Sequence, residues 1–145
     1  NDSHLREILD KVKRTCIRYT EATEENVTQA DCLIIDCYGL LSSIYRYGEI
    51  SYIGGGFGVG IHNVLEAAVY GIPVIFGPNN KKFREAQHLL EQKGGFEVTG
   101  YDDFKRLMDK FLSDEAYLQQ AGKAAGNYVN HNAGALEKIM KDITL

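Results

Sequence analysis

The chain of 145 residues carries 16 Lys and Arg against 20 Asp and Glu, for a net charge of −4, with the two signs interspersed. That length suits one domain with a real core, and the charge pattern excludes both a basic nucleic-acid footprint and a polybasic membrane patch. No apolar run reaches membrane-spanning length, the N-terminus is not a signal peptide, and three cysteines (Cys16, Cys32, Cys37) in or beside apolar runs are expected as buried thiols of a reducing compartment, with no CxxC and no metal or redox site.

In chain order, Asp2-Ser3 caps a helix with Leu5, Ile8, Leu9 and Val12 on one face. It begins almost at the first residue, so residues 1–145 are expected to be one domain of a longer chain. Cys16 to Tyr19 reads as a strand, Thr20 to Ala30 as a polar connection, and Asp31 to Cys37 (DCLIIDC) as a strand buried on both faces of a parallel sheet. Asp36 at its end admits two readings, a carboxylate bonded to the next loop or the phosphoacceptor of a receiver-like signalling module. CIRYTEAT and VIFGPN do not cleanly supply the acidic pair and the lysine that the second needs, so the first is preferred. Gly39 then starts a helix that runs through Ile44 and Tyr47 to Gly48.

The organising stretch is Ile50 to Pro78. An apolar run, Ile50 to Ile53, meets five glycines (Gly54, Gly55, Gly56, Gly58, Gly60), a helix is expected from His62-Asn63 to Gly71, and Pro73 to Phe76 reads as the next strand. In such a strand, loop, helix, strand unit the glycines let backbone turn sharply or approach a ligand, and the free N–H groups of a helix start suit an anion. A tight turn without a ligand is the plain alternative, as a cap is for Asn63, a first-turn carboxylate for Glu66 and a surface imidazole for His62. Asn63 and Glu66, three apart, are expected on one helix face. No register of the loop completes G-x-G-x-x-G and no Gly-Lys-Ser/Thr ends it, which demotes a dinucleotide oxidoreductase and a P-loop NTPase.

Beyond Pro78 a helix places Phe83, Ala86, Leu89 and Leu90 inward and closes at Gly94-Gly95; Phe96 to Thr99 is a last strand, and Asp102 or Asp103 caps a helix with Phe104, Leu107, Met108, Phe111 and Leu112 buried. Asp114 to Leu145 is helical, in two pieces divided near His131-Asn132 or Gly134. Alternating strands and helices with right-handed crossovers predict an α/β, doubly wound, Rossmann-like parallel sheet, whose ligands bind at the carboxyl edge of the strands.

Asp36-Cys37-Tyr38-Gly39-Leu40-Leu41, Tyr52-Ile53-Gly54-Gly55-Gly56, Gly60-Ile61-His62-Asn63-Val64-Leu65-Glu66 and Pro73-Val74-Ile75-Phe76-Gly77-Pro78, with Asn79, Phe83 and Ala86, together resemble the C-terminal half of the Kdo (3-deoxy-manno-octulosonic acid) transferases. Those enzymes are GT-B glycosyltransferases, with two Rossmann-like domains facing a cleft. The motifs cover about the middle third of the chain, and His-Asn-x-Leu-Glu after a glycine loop is their specific part.

The resemblance implies transfer of Kdo from CMP-Kdo to the lipid A precursor, in lipopolysaccharide biosynthesis at the cytoplasmic face of the inner membrane. In the family the C-terminal half binds the donor, while the N-terminal half carries the acceptor site, the membrane contact and the catalytic base. By resemblance this chain holds no catalytic residue, binds donor without metal or cofactor and is inactive alone. Tyr38, Gly39, Leu40 and Leu41 correspond to the loop whose amides face the phosphate, beside Gly55, Gly56 and His62; Asn63 adds a side-chain donor and Glu66 accepts from ribose hydroxyls. The family's Gly-Glu-Leu is Gly39-Leu40-Leu41 here, and its Asn-Pro-Leu-Glu-Pro is Asn63-Val64-Leu65-Glu66-Ala67, so the first carboxylate is missing. The alternatives are the donor domain of another GT-B enzyme, using a UDP-sugar, or a non-catalytic receiver or binding module.

Overall fold

The computed structural model describes Ser3, Arg6, Glu7 and residues 15–143, with side chains through Ala133 and at Met140. The expected first helix, with Leu5, Ile8, Leu9 and Val12, lies outside the described residues. The chain divides into two compact units, Asn1–Leu41 and Ser42–Leu145.

In the first unit, β1 (Cys16–Arg18) and β2 (Cys32–Ile34) form a parallel pair with Cys16 opposite Cys32 and Arg18 opposite Ile34. All three cysteines are free and half-buried rather than fully buried. Between the strands lie a 3-10 turn (Tyr19–Glu21) and a short helix, α1 (Glu24–Val27). Thr23 and Asn26 close a capping box on α1, each side chain accepting from the other's backbone N–H at 3.2 and 2.7 Å. The long doubly buried strand expected at Asp31 to Cys37 is not present: β2 has three residues, and its middle residue Leu33 is 39% exposed. The chain leaves the ladder after Ile34, and Asp36 turns back toward β1, accepting from Arg18 Nε (2.8 Å), Thr20 N (3.0 Å) and Thr20 Oγ1 (2.6 Å). Gly39, at φ +90°, makes the turn into α2 (Leu41–Ile44), which a 3-10 turn (Tyr45–Tyr47) extends to Gly48.

The second unit is built on three parallel strands, β3 (Ser51–Ile53), β4 (Val74–Phe76) and β5 (Gly95–Glu97), in that order, with Ser51, Val74 and Gly95 in register. The central strand is buried throughout, as an apolar run in a parallel sheet demands. Alternation sends Val74 and Phe76 to one face and Ile75 to the other. The first face packs Ile53, Val64, Ala67, Leu89, Ala125 and Tyr128; the second packs Val98, Phe111 and Ala121, with Phe96 and Phe104 at its margin. Helices α3 (Leu65–Ala68) and α4 (Arg84–Glu91) make the crossovers, and α5 (Tyr101–Ser113) and α6 (Glu115–Ile143) complete the unit. Parallel strands with helical crossovers bear out the α/β, Rossmann-like expectation.

Three boundaries differ. The helix expected from His62-Asn63 to Gly71 contracts to Leu65–Ala68, because the side chain of Asn63 accepts from Leu65 N at 2.9 Å and holds the preceding residues in a turn. Neither Asp102 nor Asp103 caps α5: Gly100 occupies that position, and the Asp103 carboxylate instead accepts from the amide and hydroxyl of Thr99 and pairs with Arg106. The break expected in the last helix does not occur. No proline interrupts the ladder at His131-Asn132 or Gly134, where the break was expected; further back, Gly122 and Gly126 serve packing, since a Cβ on Gly122 would run into the carbonyl of Gly71.

Candidate functional site

Because β3, β4 and β5 are parallel, the loops that follow them leave the sheet at one carboxyl edge, the place where ligands bind in sheets of this kind. There the glycine loop closes on itself: the amides of Gly58 and Gly60 both donate to the Gly55 carbonyl (3.0 and 3.1 Å), and His62 N donates to Gly54 O (3.1 Å). Asn79, in the loop after β4, clamps it from outside. Its amide donates to Gly56 O (2.8 Å), its carbonyl accepts from Ile61 N (3.3 Å), and its side-chain amide donates to Gly58 O (2.5 Å). Gly55 sits at φ +90° where a Cβ would strike the Gly60 carbonyl, and a Cβ on Gly56 would strike the backbone of Gly77. Backbone meeting backbone therefore already requires these two glycines.

The polar residues follow directly. Leu65 N can only donate, so the oxygen of the Asn63 amide is fixed toward it and the Nδ2 group, with two N–H donors, is turned the other way. The His62 imidazole packs on the glycine loop, with Cδ2 3.4 Å from where a Gly55 Cβ would stand. The Phe83 ring lies over Gly60 at φ +139°, 3.1 Å from the position of a Cβ that glycine lacks. His62, Asn63, Phe83 and Glu85, on a floor that includes Ile61 and Val64, border a cavity of about 300 Å³.

Among the predicted site residues, His62 and Asn63 share this cavity; His62 also packs against Gly55, while Gly56 lies against the backbone of Gly77. Glu66 does not line it. Asn63 stands ahead of α3 while Glu66 lies inside it, so the two do not share a helix face. Glu66 instead acts on Tyr45, whose hydroxyl pKa is pushed up by burial first and by the Glu66 charge second. Tyr38, Gly39, Leu40 and Leu41 form the turn between β2 and α2 in the first unit, with Tyr38 fully exposed and open space where a Gly39 Cβ would be. Asp36 is a structural carboxylate. Its side chain is 1% exposed, and the bonds from Thr20, then Arg18, outweigh burial and hold its pKa down at about 2. Its partners lie at the end of β1 and just after it, not in the loop that follows β2 as expected, and with both oxygens engaged it does not fit a phosphoacceptor.

Sequence reasoning passed over Glu85 and the Asn79 clamp. Glu85 reads as an ordinary first-turn acid, and only the fold brings it to the cavity that Asn63 lines; the polar pair Asn79-Asn80, just past the Gly77-Pro78 that ends a buried strand, was a usable signal.

A parallel α/β sheet with its crossover glycine loop, polar helix approach and carboxyl-edge cavity defines a Rossmann-like domain, the class that forms the C-terminal half of GT-B glycosyltransferases. The fold matches the crystal structure of the C-terminal CMP-Kdo binding domain of WaaA from Acinetobacter baumannii with a TM-score of 0.63 at 20% identity, over 88% of this chain and 66% of that one.

In sequence, the chain is 37% identical over 87 residues to the 3-deoxy-D-manno-octulosonic acid transferase of Aquifex aeolicus, covering 59% of this chain and 25% of the relative. It is 28% identical over 149 aligned positions to that of Rickettsia felis, covering 97% of this chain and 31% of the relative. The resemblance to Kdo transferases carried by the motifs is thus borne out. The chain spans about a quarter to a third of the length of these curated relatives. No family model matches it.

Proposed function

We propose that this chain is the nucleotide-sugar donor-binding domain of a Kdo transferase and that it binds CMP-Kdo in an enzyme that moves Kdo onto the lipid A precursor. The observation that carries the reading is the freed Asn63 amide beside His62, at the carboxyl edge of a sheet in a chain that aligns over 97% of its length with the Rickettsia felis Kdo transferase. As the bond between the sugar and the phosphate oxygen breaks, CMP departs and its phosphate gains charge. Preorganised N–H donors aimed at that charge stabilise it without reorganising. In this reading Asn63 and His62 meet the phosphate, Glu66 accepts from ribose hydroxyls, and Tyr38, Gly39, Leu40 and Leu41 are a donor-contacting loop in their own right. No metal or cofactor takes part. An N-terminal half supplies the acceptor site and the base, so this domain binds donor without turning it over, and the intact enzyme works at the cytoplasmic face of the inner membrane. No helix among the described residues is long and apolar enough to cross a membrane.

Calorimetric titration with CMP, UMP and AMP, without divalent metal, tests the reading. CMP is expected to bind best, and Glu66→Ala to lose about 1.5 to 3 kcal/mol of that binding, the range for hydrogen bonds to a charged group. If Glu66 served only the first turn of α3, the substitution would leave binding alone and change stability by about 0.3 to 1 kcal/mol. Equal affinity for the three nucleotides rejects the cytidine assignment, and a preference for UMP transfers the domain to a UDP-sugar enzyme.

A further inference from the structure

The donor reading leaves unused Glu85, which lines the same cavity as Asn63. Glu85 stands in the first turn of α4, and neighbouring contacts hold that turn in place: Ala86 is fully buried, and Gln87 donates to the backbone and side-chain oxygens of Asn80 at 2.9 and 2.7 Å. Asn80, itself fully buried, donates in turn to Gly77 O and to Glu97 at 2.9 and 2.8 Å. One cavity is thus lined by Asn63, whose Nδ2 is left to donate, by a carboxylate that only accepts, and by Phe83.

Beside Glu85 an anion fits badly, because the carboxylate repels it, so a phosphate is left to the His62 and Asn63 end. A hydroxyl group fits both groups, donating to Glu85 and accepting from Asn63, while the C–H face of a sugar ring packs against an aromatic face. At about 300 Å³ the cavity lies at the small end of ligand pockets, sized for a sugar ring rather than a whole nucleotide. We propose that the cavity between Asn63 and Glu85 seats the hydroxyl groups of a bound sugar, with Glu85 as the specificity-determining acceptor. The inference rests on the donor reading and adds to it a residue and a division of labour, the phosphate toward His62 and Asn63 and the polyol toward Glu85. The hydroxyls could belong to the ribose or to the transferred sugar, and the test separates the two.

Wild type, Glu85→Ala and Glu85→Gln are titrated with CMP, 2′-deoxy-CMP and CMP-Kdo, with thermal melts to confirm that each variant is folded. Glu85→Ala is expected to weaken CMP-Kdo about tenfold, and Glu85→Gln, which keeps an acceptor oxygen, to recover part of the loss. If CMP is unaffected, the hydroxyls are those of the transferred sugar; if CMP weakens while 2′-deoxy-CMP does not, they are those of the ribose. Unchanged affinity for both CMP and CMP-Kdo in Glu85→Ala overturns the inference and leaves the donor reading standing. Tighter binding in Glu85→Ala also overturns it, since an anion would then be the occupant. Failure of the wild-type domain to bind any of the three overturns the donor reading and the inference together.

Discussion

Asp36 commits both carboxylate oxygens to partners 16 to 18 residues upstream, and its folded pKa of about 2 lies below the ordinary 3.8. A depressed carboxylate contributes stability in full above its unfolded pKa and loses it as pH falls through the folded value. Asp36→Asn is therefore expected to lower the denaturation midpoint near pH 7, with the gap to wild type closing between about pH 4 and pH 2; a gap independent of pH would mean that shape rather than charge is what matters there. Gly60 gives a second residue-scale expectation. At φ +139° with Phe83 against it, Gly60→Ala should cost about 1 to 3 kcal/mol in urea unfolding, the range for strained backbone. The sequence marked Asn63 as a polar residue interrupting an apolar segment, which is why it was legible. Which of its amide atoms faces the helix was not, because that depends on a turn two residues long.

Strands declared themselves more clearly than helices at the level of elements. VIF reads as buried β because a strand covered on both faces must be apolar at every position, and β4 is buried at all three. LIID obeys the same rule on paper, yet β2 has one ladder partner among the described residues, and Leu33 is left half in water. The last helix misled in the other direction: the break expected near His131-Asn132 or Gly134 is absent, and the glycine earlier in α6 makes a close-packing surface, where Gly71 and Gly94 press against the helix at Gly122 and Ala125. No local pattern carries that information, since the contacts link residues 31 and 51 positions apart. Gly122→Ala thus replaces a poor helix former with the best one and should nonetheless destabilise, by about 1 to 3 kcal/mol as overpacking does. Equilibrium unfolding of this variant beside Lys123→Ala, an exposed position on the same helix, separates the two effects. A gain in stability at Gly122 would show that the turn at Gly71 can move aside.

For the whole molecule, burial is uneven in a way that bears on how it opens. Every fully buried apolar side chain among the described residues, from Ile53 to Tyr128, belongs to Ser42–Leu145, while β1 and β2 hold residues that are half-buried or exposed. Hydrogen bonds in a region with little buried apolar surface open at a lower free energy than those of the core. Native-state hydrogen exchange is then expected to show two levels of protection, with β4 and α6 opening only with global unfolding and β1–β2 opening below it. The same experiment bears on the donor site, because a ligand that binds only the folded form stabilises it by about 2.7 kcal/mol at a hundredfold excess over its dissociation constant. If CMP binds at His62 and Asn63, that increment should appear in the slowest amides of β3 and β4, which the clamped glycine loop joins to the site. Uniform protection across both units without ligand would instead make the chain a single cooperative body, and the unevenness of its core would then have no bearing on how it unfolds.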